Sequence, residues 1–391
     1  MKAFSKPEIE VADIFNQYGL VYKKKHKLPL QSLKAMSAIE NCRTPTLGGH
    51  IDKCNECGNE RNSYNSCRNR HCPKCQGLTQ IKWLEKRKQE LLPVKYFHLV
   101  FTIPSELNRL ALVNQKVVYG ILFKAASETI LQLSSQEKHL GATPGIISIL
   151  HTWGQNLMEH PHVHMLVTGG GISTDKKQWI NSKTNFYISV KVLSQVFRGK
   201  FLYYLKQAYR QKELKFKGEI ERIKDHETFK KYLSILYKKQ WVVYAKKPFG
   251  NAEKVLSYLG RYTHRIAISN HRIKKVEDNK VSFQWKDYTD KNKKKLMTVN
   301  AEEFIRRFLL HVLPSGFFKI RYYGILSSRN KKSNISLSRK LLGVVMKIVE
   351  NIKQSWQKTL LKHTGFDVTL CPNCNNGQMK LIKTLQIASY L

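Results

Sequence analysis

Two apolar stretches, "GIISILHTWG" (145–154) and "HPHVHMLVTGGGIS" (160–173), are separated by a few polar residues and predict a β-hairpin. "YFHLVFTIP" (96–104), "QWVVYAKKP", "RIAISNHRI" and "KVSFQWKDYT" predict further strands, the last two joined by a "VEDNK" turn. Elsewhere the apolar residues fall at helical spacing. "EIEVADIFNQYG" predicts a helix capped at Gly19, then "VYKKKHK" a basic connector and "LPLQSLKAMSAIENC" a second helix. "LTQIKWLEKRKQELLPV" (78–94) predicts a basic amphipathic helix stopped near Pro93. A long apolar helix follows the 96–104 strand, charged helices fill about 190–240, and "GNAEKVLSYLGRYTH" opens with a turn and continues as a helix. "DKNKKKL" (290–296) and "SSRNKKS" (327–333) read as basic loops, with a helix near 338–354. This order predicts an α+β fold with a mainly antiparallel sheet.

Composition changes this picture by its charge. The 391 residues carry 68 Lys+Arg against 28 Asp+Glu, a net charge of +40. A fold so charged repels itself unless it meets a polyanion, and nucleic acid is the densest source of phosphate. No apolar run approaches the ~20 residues of a membrane-spanning helix, and the N-terminus lacks a signal-peptide core. A cytoplasmic protein with no membrane partner is therefore expected. In a reducing compartment eight cysteines point to metal rather than disulfides.

Six of those cysteines lie in residues 42–76, a segment too poor in large apolar residues to build its own core. Cys54-x2-Cys57 and Cys72-x2-Cys75 predict one structural four-thiolate zinc site, with no open position for water. Cys42, His50, Cys67 and His71 can form a second site, unless Cys67 is a buried thiol and His71 a phosphate contact. Arg61, Arg68, Arg70 and Lys74 surround the knuckles, so the module reads as a DNA-binding unit, with Arg68 and Arg70 as contacts. Cys371-x2-Cys374 is half a site, completed from elsewhere or from another copy of the chain.

Within "MEHPHVHMLV" (158–167), strand alternation puts His162 and His164 on one face. Either they share a metal ion or they belong to a histidine-rich turn. A Mg²⁺ or Mn²⁺ ion would also want an oxygen ligand; Gln155 is the candidate, with Glu159 behind it. A hundred residues later Tyr258 and Tyr262 fall at i and i+4 of a helix. Such pairs are ordinarily core packing, but a tyrosine can also attack a phosphodiester. Arg261, His264 and Arg265 beside them are either phosphate contacts or a solvated helix end, and Trp153, Tyr322 and Tyr323 are either core or base-stacking residues.

The histidine–hydrophobe–histidine strand followed by a Tyr-x3-Tyr helix resembles the HUH endonuclease superfamily, and within it the two-tyrosine transposases of the insertion sequence 91 type. The matching stretches are "GGHIDKCNECGNERNSYNSCRNRHCPKCQ", "YFHLVFTIP", "LHTWGQNLMEHPHVHMLVTGGG", "VLSYLGRYTHRIAISNHRI" and "GFFKIRYYGIL", in the family's order over about 45–330. The resemblance implies an RRM-like antiparallel sheet flanked by helices, a divalent metal on His162 and His164, and nucleophiles Tyr258 and Tyr262. It implies a zinc module for DNA recognition, and single-stranded or hairpin element ends as the partner, cut through a 5′-phosphotyrosine in rolling-circle-like transposition inside a bacterial or archaeal cell, at the nucleoid. The domains expected are a helical N-terminus with the zinc module (1–92), the catalytic domain (93–335) and a basic C-terminal helix with its knuckle (336–391). Rival readings are a replication initiator or relaxase of the same chemistry, and a non-enzymatic zinc-ribbon regulator.

Overall fold

Strand alternation organises the centre of the molecule. Phe97, Leu99 and Phe101 of β3 (Tyr96–Thr102) enter one buried cluster with Ile146 and Leu150 of β4 (Ala142–Trp153) and Val163, Met165 and Val167 of β5 (Glu159–Ser173). That face is covered by α5 (Gln115–Ser134), which brings Val118, Leu122 and Ile130, and by α6 (Val190–Arg210), which brings Leu193, Phe197 and Phe201. Each such side chain contributes roughly 1.5–3 kcal/mol on burial. The residues between them are thereby turned to the opposite face.

In this computed structural model, which describes residues 7–183, 187–249, 254–255, 258, 260, 263, 267–287, 290–344 and 355–387, the strands run in the spatial order β11-β4-β5-β3-β7. Here β7 is Val243–Phe249 and β11 is Ile320–Gly324, while β6 (Trp179–Asn181) pairs with the far half of β5. All pairings are antiparallel. Along the chain β3, α5, β4, β5, α6 and β7 give the β-α-β-β-α-β succession with its first and third strands central. This is the α+β, RRM-like sheet flanked by helices expected from the sequence.

A second core joins distant parts of the chain. Val11, Ile14 and Phe15 of α1 (Val11–Lys25) and Met36 of α2 (Leu30–Glu40) pack with Phe283, Phe304 and Phe308. The last three come from β9 (Lys280–Asp287) and α8 (Ala301–Leu309), beside β8 (Ile273–Glu277) and β10 (Lys293–Asn300). The expected division at residue 92 therefore does not follow the packing. Gly19 does not cap α1, which runs on through the "VYKKK" of the expected connector. A Cβ there would lie 3.1 Å from the side chains of Met36 and Glu40, so the glycine marks the close approach of α1 to α2.

Other elements depart from expectation for physical reasons. Residues 267–270 ("AISN") of the expected strand are not in a strand: Ala267 and Ile268 are buried, but pairing begins at Ile273, and Arg265 and Ile266 lie outside the described residues. The turn after β8 is as expected, with Asp278 and Asn279 both at positive φ (48° and 57°), as a two-residue hairpin requires. The basic 290–296 loop is a strand from Lys293 onward. It pairs with β9 through its backbone, and Lys295 meets Asp287 at 2.9 Å and Asp290 at 3.0 Å; its partly buried positions, Met297 and Val299, lie past the expected loop and pack against the second core. The 327–333 loop becomes helical at Lys331, starting α9 (Lys331–Leu341); residues 345–354 of the expected helix lie outside the described residues. The helix α3 (Gln76–Lys88) ends before Pro93. Among the described residues no helix is long and apolar enough to cross a membrane.

The C-terminal segment is not separate. β12 (Met379–Leu385) pairs with β1 (Gly49–Cys54), which also pairs with β2 (Glu60–Tyr64). Ahead of it α10 (Trp356–Thr364) meets α3, where His363 Nε2 lies 2.8 Å from the Glu85 carboxylate.

His311, just after α8, ties the second core to the hairpin. Its ring nitrogens lie 3.0 Å from the Leu157 carbonyl and 3.1 Å from the Thr152 hydroxyl. Burial pushes its pKa down to about 4, so the folded ring stays neutral where the unfolded one protonates. Its contribution is full above about pH 6.5 and is lost as pH falls towards 4, on the order of 3 kcal/mol in all. Urea unfolding at several pH values tests this: His311→Gln, which cannot titrate, should show a shallower loss of stability across that window than the parent. Parallel profiles would refute the assignment.

Candidate active site and metal centres

The face of the sheet opposite α5 and α6 carries imidazoles. His151 of β4 is the register partner of His162 of β5, and His164 lies two residues further on. One ligand nitrogen from each falls within 4.8 Å of the other two. His162 Nδ1 donates to the backbone carbonyl of His160, so its Nε2 presents a lone pair. That Nε2 lies 3.0 Å from His164 Nε2. Burial pushes the His162 pKa down to about 3, which keeps the ring in its neutral, ligating form. Trp153 stacks on His151 with ring centroids 4.7 Å apart.

The site continues into β3. His98 Nε2 lies 2.9 Å from His164 Nδ1. The Tyr258 hydroxyl sits 3.1 Å from His98 Nδ1 and 3.2 Å from its Nε2. Burial, helped by Lys246 and His162, holds His98 neutral with a pKa of about 3. Lys246 of β7 places its ammonium 5.7 Å from the Tyr258 ring centroid. Tyr258 belongs to a segment whose described residues Lys254, Val255, Tyr258, Gly260 and Thr263 are helical. This segment rests on α3: the Gly260 carbonyl accepts from Gln80, and a Cβ on Gly260 would lie 2.9 Å from Leu84.

The structure thus brings His162, His164 and Tyr258 together, through two residues that sequence reasoning did not single out. His98 and His151 each carry a legible sign, a lone imidazole in an apolar strand, but only the register reveals what they face. Gln155 lies in the turn after β4, its carbonyl bonded by Arg272; the side chain opposite His162 is His151. Glu159 faces Arg109 at 3.9 Å. Tyr262, Arg261, His264 and Arg265 lie outside the described residues.

The cysteines are sorted differently from expectation. Cys42, Cys67, Cys72 and Cys75 form one cluster, and Cys54, Cys57, Cys371 and Cys374 another. The expected set of Cys54, Cys57, Cys72 and Cys75 is not brought together, because Cys54 and Cys57 sit at the tip of the β1–β2 hairpin and Cys72 and Cys75 beyond its open end. Five strand steps at ~3.4 Å separate those ends by about 17 Å. In the first cluster the Cys75 sulfur is 3.5 Å from that of Cys42 and 3.6 Å from that of Cys67. His50 and His71 belong to neither cluster. His50 faces Asp52 at 3.5 Å, and buried His71 accepts from the Leu313 N–H at 3.4 Å.

Arg68 is exposed, as a phosphate contact requires. Arg70 is not placed as one: its guanidinium donates to the carbonyls of Phe317 at 2.6 Å and Pro314 at 2.9 Å, tethering the cysteine module to the chain before β11.

A sheet bearing clustered histidines and a tyrosine, joined to a thiolate-rich module, defines the class of protein, and comparison with known proteins narrows it. Residues 145–334 match the family described as "Putative transposase", and residues 14–103 match the "Transposase zinc-binding domain" of the IS91 type. The chain is 46% identical over 377 residues to "Putative transposase y4qJ" of Sinorhizobium fredii, covering 96% of this chain and 95% of that protein. It is 26% identical over 296 residues to "Transposase for insertion sequence element IS801" of Pseudomonas savastanoi pv. phaseolicola, covering 74% and 68%. A conjugative relaxase, TrwC, solved metal-free in complex with oriT DNA, aligns over 63% of this chain and 72% of its own, at 11% identity and a TM-score of 0.24. The chain belongs to the transposase family of the insertion sequence 91 type. Its cysteine-clustered module is that family's zinc-binding domain.

The tether makes a prediction. Arg70→Ala removes two charge-assisted bonds and should cost about 2–3 kcal/mol in denaturant unfolding, and Arg70→Lys should recover less than half, since one ammonium cannot replace the planar fork. The salt dependence of DNA binding should stay as in the parent. Unchanged stability with a salt slope lowered by about one unit would make Arg70 a phosphate contact instead.

Proposed function

We propose that this transposase nicks and rejoins single-stranded DNA at element ends, with Tyr258 as a nucleophile beside a divalent ion held by His151, His162 and His164. The observation that carries the reading is the unbroken chain from the Tyr258 hydroxyl through His98 to His164 and His162. Three imidazoles, His162 held neutral by burial, fit an ion. Nitrogens 3.0 Å apart have the spacing of two ligands at right angles, each about 2.1 Å from one centre. All-nitrogen donors favour Mn²⁺ over Mg²⁺. When bound, such an ion supplies Lewis-acid polarisation of the scissile phosphate.

The protein's own groups position the reaction. With His164 ligating through Nε2, its Nδ1–H donates to His98 Nε2. That leaves the His98 Nδ1–H as the donor nearest the Tyr258 oxygen, where negative charge gathers as the phenol loses its proton. The Tyr258 oxygen bonds to phosphorus as the bond to the 3′-oxygen breaks; the phenol gives its proton to solvent, and the 3′-oxygen takes one from solvent to leave as a hydroxyl. The 5′-phosphotyrosine conserves the energy of the cleaved strand until another 3′-hydroxyl attacks it. Tyr262 serves the second transfer. Zinc on Cys42, Cys67, Cys72 and Cys75 holds the recognition module, and exposed Arg68, together with Arg261 and Arg265, meets phosphates.

An oligonucleotide carrying the element end, incubated with protein and Mn²⁺, should yield a covalent protein–DNA adduct. The Tyr258→Phe/Tyr262→Phe double variant should yield none, and His151→Ala should lose most of it while still binding DNA. His98→Ala should slow adduct formation by roughly 10–100-fold without changing DNA affinity. Binding without an adduct on any cognate end would favour a DNA-binding regulator and sink the enzymatic reading.

A further inference from the structure

We infer that the chain carries a second structural zinc site, made by its two ends. Cys54 and Cys57 come from the tip of the β1–β2 hairpin, and Cys371 and Cys374 from the turn before β12. Neither matched family segment, 14–103 or 145–334, reaches the C-terminal pair.

The geometry is that of a closed tetrahedral thiolate site. Cys54 and Cys374 sulfurs are 3.7 Å apart, and those of Cys57 and Cys371 are 3.6 Å apart. Sulfurs each bound at about 2.3 Å to one tetrahedral ion lie about 3.8 Å apart, and a disulfide would need about 2.05 Å. Both Cys-x2-Cys segments turn backbone donors onto their sulfurs. Glu56 N–H donates to Cys54 Sγ at 3.4 Å, Asn373 N–H to Cys371 Sγ at 3.4 Å and Gly377 N–H to Cys374 Sγ at 3.3 Å. These bonds stabilise thiolates. Gly377 is needed at the contact, for a Cβ there would fall 2.4 Å from the Cys54 sulfur.

The surroundings hold the pieces in register. Met379 pairs with Cys54 at the start of the β1–β12 ladder, and Arg61 bonds both the Asp52 carboxylate at 2.9 Å and the Val368 carbonyl at 3.0 Å. Four thiolates leave no open position, so the site is a clasp rather than a catalyst. It holds β12 on β1 and, with the His363–Glu85 contact, sets α10 against α3, the helix on which the Tyr258 segment rests. The tail is thereby built into the support of the active site.

Zinc content of the full chain, measured by mass spectrometry after dialysis against a chelator, tests the clasp. Cys371→Ser/Cys374→Ser should lose one zinc per chain relative to the parent, whatever the histidine site holds, and Cys67→Ser/Cys72→Ser should lose a different one. Cys374→His, which keeps a ligand, should retain the parent content and so separate ligand loss from misfolding. Trypsin should cut at Lys380 and Lys383 faster in the Cys371→Ser/Cys374→Ser variant. Undiminished zinc in that variant, or a disulfide at these cysteines in the purified parent, would overturn the inference. Zinc content does not depend on adduct formation, so this test stands apart from that of the transposition chemistry.

Discussion

The register of β4 against β5 sets His151 opposite His162, and the arrangement of the site follows from it. Because side chains alternate, the same register that turns Ile146, Leu150, Val163 and Met165 towards α5 and α6 turns the imidazoles the other way. A slip of one residue would send the histidines into the apolar core and the valine and methionine out of it. The large hydrophobic face therefore holds the polar one in place. The precision of the histidine cluster is borrowed from the packing of residues that never touch it.

Burying several imidazoles is unfavourable unless each finds a partner. The site meets this requirement in part among the histidines themselves. His162 bonds its own backbone at His160, His164 bonds His98, and His98 reaches Tyr258. Burial pushes His98 and His162 to pKa values of about 3, so both remain neutral near pH 7. Neutral rings are what a cation requires; protonated ones would repel it. Desolvation, which elsewhere is only a cost, here prepares the donors.

Much of the site could be read from the chain, and what could not has a common cause. Period two exposes His162 and His164 as a pair, period 3.6 exposes Tyr258, and both are local. His98 and His151 are single residues in strands, and a single histidine in an apolar strand carries no sign of what lies across from it. Only the β3–β5 and β4–β5 registers supply that. The cysteines failed for the same reason at longer range: two neighbouring Cys-x2-Cys pairs look like one site until a hairpin holds them at opposite ends. Gly19 reads as a stop in sequence but as a contact in space, since helix continuation is decided by Met36 and Glu40 on another helix. β10 was hard to see because Lys293–Leu296 are exposed and held by backbone pairing and ion pairs, while the residues it packs on the core, Met297 and Val299, come only after them.

The charge of +40 must be understood in the same terms. A positive residue is a candidate phosphate contact only when its head group is not already engaged. Arg70 is engaged by two carbonyls, Arg61 by Asp52 and Val368, and Lys74 by Glu10 at 2.7 Å. All three lie in the module whose composition most suggests DNA binding, and all three serve to hold it to the rest of the chain. A module with little apolar core has no other means of fixing its orientation than metal and such directional bonds. Its cations thus divide between attaching the module and presenting it. If DNA held by the module is to reach Tyr258 in a defined pose, the attaching set matters as much as the exposed one.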